Sequence, residues 1–282
     1  MNEPKVSVVI TAHNRPDYLR AALKTVLDQT YRNTEIIVVD DASQIDLAGV
    51  AGSFPHEIRY VRQSENGGPS RARNRGVALA GGDYVAFLDD DDEWLADKLN
   101  AQVAAMEGHL ACLCGFIFLE HGANQVHNIK HVNEDLLRLG NIFCGASGFM
   151  GRKDALLACP FDDNLSSGED WDVYVRLSQR GSIAYVPEPL FRYRLGSHES
   201  ITTKARTMQI SDIGVRLEHI RKNRIWLGER QYRILLARKI LEYIGSKKGK
   251  LDYLFYSVRV ASFSATLKIL FDKVARSREK LT

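Results

Sequence analysis

Tyr84-Val85-Ala86-Phe87-Leu88-Asp89-Asp90-Asp91-Asp92-Glu93-Trp94 is the stretch on which the fold turns. Gly81-Gly82 and five mostly apolar residues read as a buried strand, and that strand runs straight into four consecutive aspartates. Adjacent carboxylates repel and raise one another's pKa, so the run calls for a positive partner. Oxygen-only donors at a strand end suit a hard divalent cation, Mg²⁺ or Mn²⁺, shared with a phosphate group. A solvated acidic turn is the alternative. Direct emergence from a buried strand, with Trp94 closing the run, favours the metal.

Working outward, Val6-Ser7-Val8-Val9-Ile10 is a β-branched run of the kind buried on both faces of a sheet. It ends at the polar loop Thr11-Ala12-His13-Asn14-Arg15-Pro16, which opens a helix carrying Tyr18, Leu19, Ala22, Leu23, Val26 and Leu27 at helical spacing. A second strand, Glu35–Val39, runs into Asp40-Asp41-Ala42-Ser43, and a third covers Ile58–Val61. Strands alternating with helices imply right-handed βαβ units, hence an α/β fold with a mostly parallel sheet flanked by helices. Ligands of such sheets bind beyond the carboxyl ends of the strands, and three polar clusters (Thr11–Arg15, Asp40–Ser43 and Asp89–Asp92) occupy those ends. Between strands three and four, Asn66-Gly67-Gly68-Pro69-Ser70-Arg71-Ala72-Arg73-Asn74-Arg75-Gly76 makes a turn and starts a helix. Guanidiniums of Arg71, Arg73 and Arg75 beside free backbone N–H groups favour a phosphate anion; singly, each reads as a surface residue.

Together, the first strand with Thr11, Val38-Val39-Asp40-Asp41-Ala42-Ser43, Ala72-Arg73-Asn74 with Gly76, and Phe87-Leu88-Asp89-Asp90-Asp91 resemble family 2 glycosyltransferases. The likeness covers about the first two hundred residues and implies the GT-A, Rossmann-like fold and a nucleotide-diphosphate-sugar donor. It puts Thr11 and Asp41 near the base and Asp89 near the ribose, with Asp40 and Asp90 among the nucleotide-sugar contacts. Asp91, closing the family's Asp-x-Asp motif, carries the metal that bridges the diphosphate; Asp90 fills the variable middle position. Arg71 and Arg73 are the phosphate contacts.

Gly145-Ala146-Ser147-Gly148-Phe149-Met150-Gly151 offers either close backbone approach to a ligand or a glycine-rich edge strand. In Ser167-Gly168-Glu169-Asp170-Trp171-Asp172, acidic residues complement the first turn of a helix. The same residues resemble the family's acceptor-side motif, which implies Asp170 as catalytic base, Glu169 as its neighbour and Trp171 as a sugar-stacking surface. His198 is either a third metal ligand, as the resemblance suggests, or a structural histidine. The Gln-x-x-Arg-Trp motif of processive members is missing, which favours transfer of a single sugar.

From about Thr203 the pattern turns helical, over 208–225, 230–244 and 251–274, so the domains divide as 1–204, catalytic, and 205–282, a helical extension. The last helix mixes Leu251, Leu254, Phe255, Val258, Leu267, Leu270, Phe271 and Val274 with Lys and Arg, as expected of packing, of dimerisation or of a peripheral membrane surface. A net charge of +3 does not point to nucleic acid. Four cysteines without zinc spacing read as buried thiols in a reducing compartment. No signal-peptide pattern is seen ahead of the first strand, and no apolar run is long enough to span a bilayer, so a cytoplasmic location is expected.

The expected chemistry is inverting, metal-dependent transfer of a sugar, from a UDP-sugar above all, to a hydroxyl of a glycan or a lipid-linked acceptor, as in bacterial surface polysaccharide synthesis. A haloacid-dehalogenase-type phosphatase would need its nucleophilic Asp-x-Asp after the first strand, where Thr11-Ala12-His13 stands. A nucleotidyltransferase would need a Gly-rich loop there. The non-enzymatic rival is a sugar-nucleotide or glycan-binding module of the same fold, and Asp170 argues against it.

Overall fold

The computed structural model describes residues 3–195, 205 and 207–279. Its first half alternates β1 (Val6–Ala12), α1 (Pro16–Leu27), β2 (Thr34–Asp40), α2 (Ala48–Gly52), β3 (Ile58–Arg62), α3 (Gly68–Leu79) and β4 (Tyr84–Asp89). Val6, Val8, Val9 and Ile10 are fully buried, as β-branched residues between two helical layers should be. Proline in the first turn starts α1, which turns Leu19, Ala22, Leu23 and Val26 inward. Helix α3 lies so close to β1 that a Cβ at Gly76 would stand 2.2 Å from Val9 Cγ1, so glycine is what lets the two elements meet.

The chain continues through β5 (Glu93–Trp94), α4 (Lys98–Ala105), β6 (Ala111–Phe118), β7 (Asn124–Gln125), β8 (His131–Val132), α5 (Glu134–Leu137), β9 (Met150–Arg152), α6 (Lys153–Ala158), α7 (Glu169–Ser178) and β10 (Ile183–Tyr193). The sheet order is β3-β2-β1-β4-β9-β6-β10-β5, with β7 on β6 and β8 on β10. β1 pairs in parallel with β2 and β4, β2 with β3, and β10 with β6. β9 runs antiparallel between β4 and β6, and β5, β7 and β8 are short antiparallel additions. The six longer strands therefore share one direction, and the sheet is mixed through its inserted and edge strands.

Register decides where the polar strand ends fall. Thr11 lies opposite both Val39 and Asp89, and Ala12 opposite Asp40, so the carboxyl ends of β1, β2 and β4 finish level on one rim. Behind the tip of β4, Phe87 stacks on Phe149 with ring centres 5.5 Å apart, and Phe161 meets Phe87 edge-on at 5.3 Å. Tyr174 of α7 packs edge-on against Phe149 at 5.0 Å, which seats α7 beside the rim. All four cysteines are buried and free.

Two compact units are formed. The first comprises Met1–Leu137, Asn141–Asn164 and Glu169–Leu195; the second takes Arg138–Gly140, Leu165–Gly168 and Gly196–Thr282. In the second unit Gln231 donates to the Arg138 carbonyl at 2.7 Å, and the Arg138 guanidinium lies 4.8 Å from the centre of the Trp226 ring. The expected helix over 208–225 is a 3₁₀ stretch, Ile210–Leu217, with Gly214 in its middle, followed by Glu218–Lys222 and Arg224–Leu227. Asn223 breaks it, its side-chain amide donating to the His219 carbonyl at 2.9 Å. Helix Glu229–Ile240 starts where expected but ends four residues short of the expected 230–244, at a turn that leads into the 3₁₀ piece Ile244–Ser246. The expected last helix is two, Lys250–Val260 and Phe263–Glu279, separated at Ser262, whose φ is +122°. Its hydroxyl accepts from Ala265 N at 3.3 Å and so caps the second helix.

Candidate active site

Three strand ends converge on the rim. Thr11 Oγ1 donates to Asp89 Oδ1 at 3.1 Å, and Arg73 Nη2 donates to the same oxygen at 2.7 Å. Arg73 Nη1 reaches Glu169 Oε1 at 2.8 Å. One guanidinium thus ties the end of β4 to the first turn of α7. Its side chain is 4% exposed, against 9% for Glu169 and 29% for Asp89. Burial works to raise the Asp89 carboxyl, but the Arg73 guanidinium outweighs it and holds that pKa below its usual range.

The aspartate run alternates in facing. Asp90 and Asp92 are buried, whereas the Asp89 and Asp91 side chains keep 29% and 16% exposure. Asp90 accepts from the His13 N–H at 3.1 Å and from Arg15 Nε at 3.3 Å, and Arg15 Nη1 reaches Asp91 Oδ2 at 2.9 Å. Part of the positive charge that the run demands is therefore supplied by Arg15. Burial still pushes the Asp90 carboxyl up to about 8, against the pull of Arg15. Asp92 is also raised well above the usual carboxylate range, by burial and by the charges of Asp91 and Asp89; it accepts from Arg194 N at 2.9 Å. Arg194 also holds the Asp91 carbonyl and Glu93 Oε1, each at 2.9 Å.

Asp89 and Asp91 are the solvent-facing pair, a hard-oxygen donor set of the kind that Mg²⁺ or Mn²⁺ completes with phosphate oxygens. Among the described residues no group of three or more carboxylate, imidazole or thiolate side chains forms a metal cage. His198 lies outside the described residues.

Several expectations are corrected. Asp40 is fully buried and offers no face to a nucleotide: it accepts from Ser43 N at 2.9 Å and from Tyr60 Oη at 2.5 Å. Asp41 accepts from the N–H groups of Gly67 and Gly68 at 2.7 and 2.8 Å, so its carboxylate sits where an anion was expected at the start of α3. Arg71 is exposed and paired with Glu65 at 2.7 Å, far from the role of Arg73. Residues two apart on a helix point to different sides, so Arg71, Arg73 and Arg75 form no cluster. Arg73 itself contacts carboxylates. Trp171 is 2% exposed and donates its indole N–H to the Leu137 carbonyl at 2.9 Å, which leaves no open ring face for a sugar. Glu169 is buried on Arg73 and does not present itself to an acceptor.

Asp170 lies at the head of α7, its Oδ1 accepting from Trp171 N at 2.7 Å and its Oδ2 from Asn141 Nδ2 at 2.9 Å. Asn141 is in turn fixed on the Cys144 carbonyl at 2.9 Å. A Cβ at Gly145 would come within 3.8 Å of Asp170 Oδ2, so the small-residue stretch runs beside this carboxylate. Ser147 joins the stretch to the rim: its hydroxyl accepts from Asp89 N at 3.1 Å, and its carbonyl accepts from Trp94 Nε1 at 2.9 Å.

Asn141 escaped the sequence reading, and Arg15 and Ser147 entered it only as members of a loop and a small-residue stretch, without the contacts they make. Only Arg15 had a signal, as the one cation in the polar loop after β1. Asn14 and Ala42, in the loops after β1 and β2, have φ of +54° and +55°, left-handed backbone that is uncommon in non-glycine residues and is concentrated at ligand sites.

The chain is similar to known proteins in sequence and in fold. An uncharacterized glycosyltransferase of Rickettsia conorii is 31% identical over 209 residues, 69% of this chain but 33% of that protein, so the chain spans about a third of that relative's length. The putative teichuronic acid biosynthesis glycosyltransferase TuaG of Bacillus subtilis is 29% identical over 211 residues, 72% of this chain and 83% of TuaG. Among solved structures, S. aureus TarS in complex with UDP-GlcNAc superposes with a TM-score of 0.64 at 16% identity, covering 94% of this chain and 90% of that one. The mannosyltransferase PcManGT of Pyrobaculum calidifontis, in complex with GDP-Man and Mn²⁺, gives 0.62 at 16% identity, covering 98% and 81%. At these identities the structures establish the fold alone. Residues 7–158 match the model of Glycosyl transferase family 2, and the chain belongs to that family.

Proposed function

We propose that this protein is an inverting glycosyltransferase that moves one sugar from a nucleotide diphosphate sugar, a UDP-sugar in the first instance, to an acceptor hydroxyl. The observation that carries the reading is the arrangement at the rim. Two solvent-facing carboxylates, Asp89 and Asp91, end β4, and Arg73 links Asp89 to the helix turn that bears Asp170. Thr11 and the loops after β1 and β2 would receive the nucleoside. Asp89 and Asp91 would hold Mn²⁺ or Mg²⁺, whose charge neutralises the diphosphate oxygens. Asp170 would take the acceptor hydroxyl proton, with Asn141 holding the carboxylate in place. A single base and direct displacement give inversion at the anomeric carbon. The nucleotide sugars in the TarS and PcManGT complexes, and the Mn²⁺ in the latter, support this donor class. The name of TuaG supports a place in bacterial surface polysaccharide synthesis, with a glycan or lipid-linked acceptor.

Nucleotide binding tests the donor half of this reading. Uridine diphosphate with Mn²⁺, at about a hundred times its Kd, should stabilise the protein by about 2.7 kcal/mol in thermal or denaturant unfolding. Asp91→Asn should abolish the Mn²⁺-dependent part of that gain, measured against the free variant because the substitution also weakens the ion pair with Arg15. An Mn²⁺-dependent gain that survives in the variant would refute the assignment of Asp91.

A further inference from the structure

Helices Lys250–Val260 and Phe263–Glu279 are apolar on two opposite sides. One side of each is buried, through Tyr253 and Ser257 on the first and Ala265 and Ile269 on the second. Ser257 Oγ and Thr266 Oγ1 hydrogen-bond across the pair at 2.7 Å. On the other side Leu251, Phe255 and Val258 of the first helix, and Phe263, Leu267 and Phe271 of the second, are exposed. Phe255 is 71% exposed and Phe271 65%. At about 100° per residue, Phe255 stands about 160° from Tyr253 and from Ser257, and Phe271 stands about 160° from Ile269 and about 120° from Ala265. Scattered exposed apolar residues are ordinary, but six in register on one helix pair, rimmed by charge, mark a contact surface.

We propose that this outer face lies on an anionic lipid surface. The sign of the charge selects the occupant. Residues 247–282 carry nine Lys and Arg against three Asp and Glu, a net +6 in a chain whose whole charge is +3. Lys248, Lys250, Arg259 and Lys268 are exposed on or beside the two helices. A second copy docking through the same patch would set like charge against like under two-fold symmetry. Anionic headgroups neutralise it, while the Phe and Leu side chains enter the boundary of the acyl region. Among the described residues no helix is long and apolar enough to cross a membrane, so the contact is peripheral.

Flotation of the full chain with vesicles tests this without donor or acceptor, and so independently of the transferase reading. The protein should float with phosphatidylglycerol–phosphatidylcholine vesicles and bind phosphatidylcholine vesicles about tenfold or more weakly, with high salt having the same effect. Phe255→Ser with Phe271→Ser should cut binding by about tenfold or more. Because both residues are exposed, the circular dichroism melting point should stay where it was. Lys250→Ala alone should weaken binding by about fivefold. Equal binding to both vesicle types, no binding to either, or a dimer in sedimentation that the double serine variant dissociates while wild type ignores vesicles would each overturn the proposal.

Discussion

Replacing Arg73 with methionine should cost about 3 kcal/mol of folding stability, the low end of the range for removing one partner of a buried ion pair. Two carboxylates lose their shared cation at once: Asp89 at 2.7 Å and Glu169 at 2.8 Å. The low end applies because the Asp89 side chain keeps 29% exposure and some hydration. Denaturant unfolding at neutral pH measures the loss, and a value below about 1 kcal/mol would show that the bridge holds little. The pH dependence has a definite sign. Asp89 has a lowered carboxyl pKa in the folded state, so its contribution is full above the ordinary carboxylate pKa, about 4, and is lost as the pH falls through the lowered value. Methionine removes the cause of that lowering. The gap between wild type and variant should therefore be widest near neutrality and close on acidification.

The second large effect is on rate. Asp170→Asn should lower kcat by about a thousandfold, the middle of the range for a positioned general base, while donor KM changes little. The amide keeps the shape of the carboxylate but only one oxygen, so it can accept from the Trp171 N–H or from Asn141 Nδ2, contacts of 2.7 and 2.9 Å in the native protein, and not from both. Loss of the other contact should cost about 1 kcal/mol in unfolding. The residual product should keep the same anomeric configuration as the wild-type product, inverted relative to the donor. A variant that turns over at more than about a tenth of the wild-type rate would mean that another group takes the proton. Donor binding in wild type without transfer to any hydroxyl acceptor would instead mark a binding module.

Much of this fold was legible because its strands obey a single rule. Val6–Ile10 and Glu35–Val39 are β-branched runs that only a doubly covered sheet can bury, and each ends in polar residues. The aspartate run was legible as a site because four like charges at the end of a buried strand need an explanation. The direction of each side chain was not. Asp90 and Asp92 turn inward while Asp89 and Asp91 keep an exposed edge, a distinction set by partners from distant loops, Arg15 and Arg194. Arg73 and Glu169 lie 96 residues apart, and no local pattern joins them. Trp171 failed as a stacking surface for a simpler reason: adjacent residues on a helix diverge by about 100°, so it cannot share the facing of Asp170. Ser262 hid its break because the apolar residues keep helical spacing on each side of it, Leu251 to Val258 and Leu267 to Val274.

Anomalous scattering at the manganese edge, from crystals grown with Mn²⁺ and uridine diphosphate, tests the central claim most directly. One peak is expected between the Asp89 and Asp91 carboxylates and the diphosphate at the end of β4, with the Asp170 carboxylate facing the side where the sugar would project. A diphosphate bound away from this rim, or Asp170 turned from it, would contradict the account.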